Sequence, residues 1–127
     1  MRELFVLDKK NYNPNGTVGR RPSVRGIIIR DGKGAMMHSK KYDYYKLPGG
    51  GIELGETLEE TLIREVREES GLIVIPETIK EFGYVKRIEK GKIEDIFLQE
   101  NYYFVCEAEP VIMEQELDDY EEEEQFT

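Results

Sequence analysis

The chain has a single cysteine, a single histidine and no run of 18 or more apolar residues, and each scarcity removes a class of protein. Cys106 alone cannot form an internal disulfide and suits a reducing compartment, and with His38 the only histidine a Cys/His zinc site lacks its ligands. Without a long apolar run no membrane-spanning helix is expected, and the opening MRELFVLDKK is too short and too charged for a signal peptide. Internal repeats, a second domain boundary and an EF-hand loop are also missing. Bases are absent from Glu114 to Glu124, where eight acids fall; the rest carries 19 acids against 18 bases. The net charge of −9 is therefore a property of the C-terminal segment 114–124, and no surface for a nucleic-acid duplex is indicated. These exclusions leave a soluble, cytoplasmic chain with no membrane partner.

What is present suffices for one core. A length of 127 residues with 39% hydrophobic and 35% charged content fits a single globular domain over 1–127. Arg2 to Asp8 reads as a first strand, and the Asn, Gly and Pro of KKNYNPNGTVGRRPS as a long loop. VRGIIIRDGKGAMMHS reads as two antiparallel strands joined at Asp31 and Gly32, with Ile27 to Ile29 suggesting burial on both faces. A glycine-rich loop around Pro48 to Gly51 can bring backbone close to an ion or phosphate, or be an ordinary turn. Leu72 to Pro76 then reads as a short strand, and Lys80 to Pro110 as two longer strands with a turn near Lys90 to Lys92.

Between these strands the spacing predicts a helix with well-marked ends. Thr57 and Glu60 form a T-x-x-E capping box, Gly71 sits where a left-handed cap belongs, and Leu58, Leu62, Ile63 and Val66 make an apolar stripe. Glu65, Glu68 and Glu69 fall within an arc of about 100° beside that stripe. Like charges so placed cost roughly 0.2–0.5 kcal/mol per pair, and more when partly desolvated. A divalent cation with oxygen ligands would offset the repulsion; the plain alternative is a solvated charged face moderated by Arg64 and Arg67.

From Gly50 to Leu72 the residues follow G-x5-E-x7-R-E-U-x-E-E-x-G-U, where U is a bulky aliphatic residue, matched at Gly50, Glu56, Arg64, Glu65, Val66, Glu68, Glu69, Gly71 and Leu72. At average residue usage the coincidence is on the order of 1 in 10⁹ per starting point. In this box, and in the LPGG before it, the chain resembles the Nudix (MutT-type) hydrolases. The resemblance implies an α/β fold, an α/β/α sandwich around a mixed central sheet; family members usually continue into a packing C-terminal helix, and a sequence that stops at Thr127 departs from that pattern, with either a truncated chain or a missing final helix as the expectation. It implies hydrolysis of a diphosphate linkage in a nucleoside diphosphate joined to a group X, with Mg²⁺ as cofactor and Mn²⁺ as an alternative ion.

The roles the resemblance implies are these. Glu65, Glu68 and Glu69 would be metal ligands, with the Gly49 carbonyl in addition, and Glu65 or Glu68 would also take the proton from water. Arg64 would brace the glycine loop against Glu56 rather than partner the acidic face, with a phosphate-binding role open; Gly50, Glu56 and Gly71 are structural positions of the box. Glu53 in the loop lies near the metals on this reading. A downstream carboxylate is sought among Glu121, Glu122, Glu123 and Glu124, which read equally as a solvated acidic turn.

Substrate clues are fewer. Tyr42, Tyr44 and Tyr45 precede the glycine loop, so Tyr45 is a candidate for stacking a base, and Arg25 for reaching a phosphate; packing and a surface strand charge are the alternatives. His38 reads as a strand surface residue and Cys106 as core. The proline that ADP-ribose hydrolases of the family often carry past the box is not matched near Ile88, which argues against ADP-ribose. Nucleoside triphosphates are the working expectation, with dinucleoside polyphosphates open. The expected partner is thus a small nucleotide or nucleoside diphosphate derivative, a homodimer is left open, and a non-catalytic nucleotide-binding module of the same fold is the competing function.

Overall fold

The structure, a computed structural model, describes residues 1–30, 32–112 and 115. Its spine is β2 (Val18–Arg30), which pairs in parallel with β9 (Ile96–Cys106) from Val18 opposite Ile96 to Ile28 opposite Cys106. β9 runs antiparallel to β8 (Lys80–Lys90), and β8 parallel to β1 (Glu3–Asp8). The other edge of β2 takes two short antiparallel strands, β3 (Lys33–Gly34) and β6 (Gly49–Gly51). A hairpin of β4 (Met37–Ser39) and β5 (Tyr44–Lys46), and a pair of β7 (Leu72–Val74) with β10 (Ala108–Ile112), complete the strands. The sheet is mixed, as the α/β reading required.

The helix α1 spans Leu58–Ser70. Thr57 Oγ1 accepts from the Glu60 amide at 3.1 Å, Glu60 Oε1 accepts from the Thr57 amide at 3.2 Å, and Gly71 closes the other end at φ 79°. Leu62 and Val66 lie against β2, where a Cβ on Gly26 would stand 3.3 Å from Leu62 and 3.4 Å from Val66. Glycine there sets how closely helix and sheet approach. Val24, Ile28, Leu62, Val66, Phe104 and Cys106 form the core, and burial pushes the Cys106 thiol up to about 11. Its reading as a core residue is therefore correct.

Four expectations are corrected. The loop ends at Thr17 rather than Ser23, because β2 already begins at Val18. Among the described residues, the stretch before Ser23 pairs only with β9, so Pro22, which has no N–H, sits where one side of the strand is open. Ile27 to Ile29 are not buried on both faces: Ile28 points to α1 and is 3% exposed, whereas Ile29, on the face α1 does not cover, is 60% exposed. The strand after Gly32 is broken into β3 and β4, which pair with different partners, and the glycine-rich loop is partly strand, since Gly49–Gly51 hydrogen-bond to β2. The hairpin turn itself is as expected, with Gly32 at φ 75°; Asp31 lies outside the described residues.

Candidate functional site

The glycine strand β6 faces α1 directly. A Cβ on Gly50 would come within 2.5 Å of the Glu65 carboxyl carbon, so bare backbone lies directly against that carboxylate. Gly49 has φ 151°, and a Cβ there would run into the Val24 carbonyl and stand 2.9 Å from the Arg25 Cα. Because those atoms are backbone, neither neighbour can step aside. Gly49→Ala is expected to displace β6 and lower the denaturant midpoint; a midpoint equal to the parent's would show that the strand adapts.

Arg64 organises the acids. Its Nε and Nη2 donate to the two oxygens of Glu56 at 2.7 and 2.8 Å, and Nη2 also donates to the Gly51 carbonyl at 3.2 Å. Glu56 accepts in addition from the Glu53 amide at 2.9 Å and from Thr61 Oγ1 at 3.1 Å. These donors, Arg64 first, hold the Glu56 carboxyl down to about 2, while Arg64 itself is raised. The remaining nitrogen, Nη1, donates to Glu65 at 2.8 Å and to Glu68 at 3.2 Å, with Glu53 3.6 Å away. The expected brace against Glu56 is present. The expectation that Arg64 does not partner the acidic face is corrected: a planar fork with five N–H groups reaches the loop and the helix carboxylates together.

Glu69 is 1% exposed and its carboxylate lies 3.2 Å from Lys46 Nζ, at the end of β5. Gln115 donates to the Glu69 backbone carbonyl at 2.7 Å. Sequence reasoning missed Lys46, and no signal could have found it, because a three-residue strand carries no readable period. It also missed Thr61, fully buried under Glu56.

The other candidates are placed as follows. Arg25 lies opposite Gly49 in the register, half-buried, with Nη1 3.4 Å from the Leu47 carbonyl. Glu53 is exposed beside Arg64. Tyr45 is 63% exposed and its ring stacks on His38 at 4.4 Å. Gly71 caps α1. Glu121, Glu122, Glu123 and Glu124 lie outside the described residues.

Hard carboxylate oxygens suit a hard divalent cation. Among the described residues no three acidic, histidine or cysteine groups converge closely enough to hold an ion by themselves. Two do share one positive charge, Glu65 and Glu68 on Arg64 Nη1, with the Glu65 carboxylate lying against the backbone of Gly50. Carboxylate oxygens are the donor type a divalent ion takes, but here Glu65 and Glu68 are bonded to Arg64 and Glu69 is turned to Lys46, so the three helix glutamates do not converge on one point.

A mixed sheet carrying one capped helix, with its glycine strand braced to that helix by an arginine, defines a Nudix-type domain. The NUDIX domain model matches residues 19–126, and the chain belongs to that family. Members of the family generally use divalent metal ions. Over 90 residues the chain is 40% identical to the RNA pyrophosphohydrolase of Acinetobacter baylyi, covering 69% of this chain and 52% of that protein. Over 54 residues it is 44% identical to the ADP-ribose pyrophosphatase of Methanocaldococcus jannaschii, covering 40% and 32%. The chain thus spans between a third and about half of these relatives. In fold it is similar to a MutT protein from Bacillus halodurans (TM-score 0.64, 20% identity, 75% of this chain and 61% of that one). A MutT NUDIX hydrolase from Burkholderia pseudomallei is similar too (TM-score 0.61, 21% identity, 80% and 77%). No helix among the described residues is long and apolar enough to cross a membrane.

Proposed function

We propose that the chain is an enzyme that hydrolyses a diphosphate linkage in a nucleoside diphosphate joined to a group X. One observation carries the reading: Glu65 and Glu68 are gathered on a single cationic nitrogen of Arg64, with the Glu65 carboxylate packed directly against the backbone of Gly50. Mg²⁺, with Mn²⁺ as the alternative, would be held by Glu65, Glu68 and Glu69 with the Gly49 carbonyl, and when bound supplies charge screening and an acidified water.

The chain's own residues do the rest. Arg64, fixed by Glu56 and Gly51, keeps the two helix carboxylates at the glycine strand, and Glu65 or Glu68 accepts the proton that water gives up. On this reading Arg25, opposite Gly49 in the register, would meet a phosphate, and the exposed Tyr45 ring would stack on a base. Glu53 borders the same cluster. A single domain, a small nucleotide derivative as partner and a cytoplasmic location complete the reading.

The test is release of phosphate or pyrophosphate from a panel of nucleoside diphosphate derivatives with Mg²⁺. Glu68→Gln is expected to lower turnover by about 100-fold or more, the range for a positioned acid–base group. If no member of the panel is turned over faster than by Glu68→Gln, the hydrolase reading fails.

A further inference from the structure

Among the described residues two stretches of open edge border the six-stranded sheet, and they differ in kind. On β2 the stretch ahead of Ser23 carries Arg20, Arg21 and Pro22, two exposed charges and a residue without an N–H, which blunt an edge against further pairing. β1, at the far end of the sheet, has no such device over residues 5–7. Phe5 is 53% exposed, Val6 44% and Leu7 52%, and among the described residues no strand pairs with their outer side. Three consecutive apolar residues on an unpaired edge are a template for another strand.

The backbone fixes which groups that strand would meet. Lys9 N–H donates to the Ile88 carbonyl at 3.0 Å, so along the regular ladder Phe5 and Leu7 also turn their N–H and C=O toward β8. Val6 and Asp8 turn theirs outward. The regular part is short: the register shifts between Glu3 and Phe5, and at the other end Asp8 accepts from the Lys10 amide at 3.0 Å, where the chain turns at φ 52°.

This segment is complementary to itself. Laid antiparallel about a two-fold axis through Val6, β1 sets Val6 opposite its counterpart in a second copy, both with outward N–H and C=O, and sets Phe5 opposite Leu7 twice. Pairs of an aromatic with an aliphatic residue are favourable across strands. Asp8 and its counterpart then stand about 14 Å apart along the strands. A slip of one residue would set outward groups against inward ones. A slip of two would put Asp8 against Val6 in one direction and Glu3 against Leu7 in the other. Alternation and charge together therefore select one register. The net charge of −9 does not oppose the contact, because β1 and β8 together hold four acids and four bases.

We infer that β1 is the docking edge for β1 of a second copy of this chain, giving a two-fold dimer in which one sheet runs through both copies. A ladder this short belongs at the low end of interface sizes, so the dimer is reversible and its population follows concentration. The inference is independent of the hydrolase reading, since no residue of β1 belongs to the candidate site.

Sedimentation velocity on the whole chain, from about 1 to 200 μM, is expected to show a monomer–dimer equilibrium. Val6→Glu and Val6→Lys are each expected to weaken the dimer at least about 10-fold, because like charges then meet on the axis, and an equimolar mixture of the two is expected to recover it. Val6→Cys is expected to form a disulfide dimer under diamide, its Cα atoms standing about 5.5 Å apart across the axis, and Asp8→Cys is not. Cys106 is buried and does not compete. A parent chain that stays monomeric throughout overturns the inference. So does a dimer indifferent to charge at position 6, because another surface then joins the copies, or a mixture that stays monomeric. If a charged variant fails to fold by circular dichroism, the cysteine pair decides: cross-linking at both positions, or at neither, overturns the pairing.

Discussion

Lys46→Met lowers stability by about 3 kcal/mol, and adding Glu69→Gln to it recovers most of the loss. Removing one partner of a buried ion pair costs roughly 3–5 kcal/mol, because the remaining charge stays out of water without its counter-charge. Glu69 is 1% exposed but Lys46 is 17% exposed, which sets the expectation at the lower end. Both residues take part in further interactions, so the double variant, rather than either single one, isolates the pair. Neutralising both removes the uncompensated charge together with the attraction. Urea midpoints of the four proteins measure it. A midpoint for Lys46→Met equal to the parent's would show that the pair contributes nothing. A loss of this size is a large share of the 5–15 kcal/mol typical of a domain.

Arg64→Met is expected to lower kcat/KM by about 10- to 100-fold on whichever substrate the panel identifies, the range seen when a residue that orients metal-binding side chains is removed. A second readout does not depend on turnover. Glu56 sits at about 2 in the folded protein, below its ordinary value of 4.5, chiefly because Arg64 donates to it. A carboxyl so lowered contributes stability that is fully present above about 4.5 and is lost as pH falls through about 2. Without Arg64 the carboxyl moves back toward its ordinary value and that contribution shrinks. The gap in urea midpoint between parent and variant is therefore expected to be constant near neutral pH and to close between about pH 4.5 and pH 2. A gap that does not change with pH would mean that Arg64 acts through packing alone.

The parts legible in the sequence are those whose causes are local. α1 was bounded correctly because Thr57, Glu60 and Gly71 each act within one turn, whereas the tie between Arg64 and Glu56 was implied by the resemblance to the Nudix box. The parts that were not legible depend on distant partners. Nothing in VGRRPS announces a strand; β9, 78 residues later, makes it one. The run Ile27 to Ile29 looked doubly buried because composition cannot say that α1 covers only one face. The second role of Arg64 was hidden because the angular position of a residue on a helix fixes where its Cβ points, not where a long guanidinium ends. Lys46 was hidden for the same kind of reason, since its direction is set by the β4–β5 pairing.

The parallel pairing of β2 with β9 has a further consequence, for the order in which the molecule assembles. Every contact in that ladder joins residues 78 apart, so each requires closing a long loop before it is rewarded. α1 needs no such closure, having both caps within its own sequence. During synthesis the helix with its three glutamates can therefore form while β2, and the glycine strand laid on it, still await the arrival of β9. The acidic half of the site is built early and the glycine half late, and Arg64, which bonds to Gly51, records the moment at which the two meet.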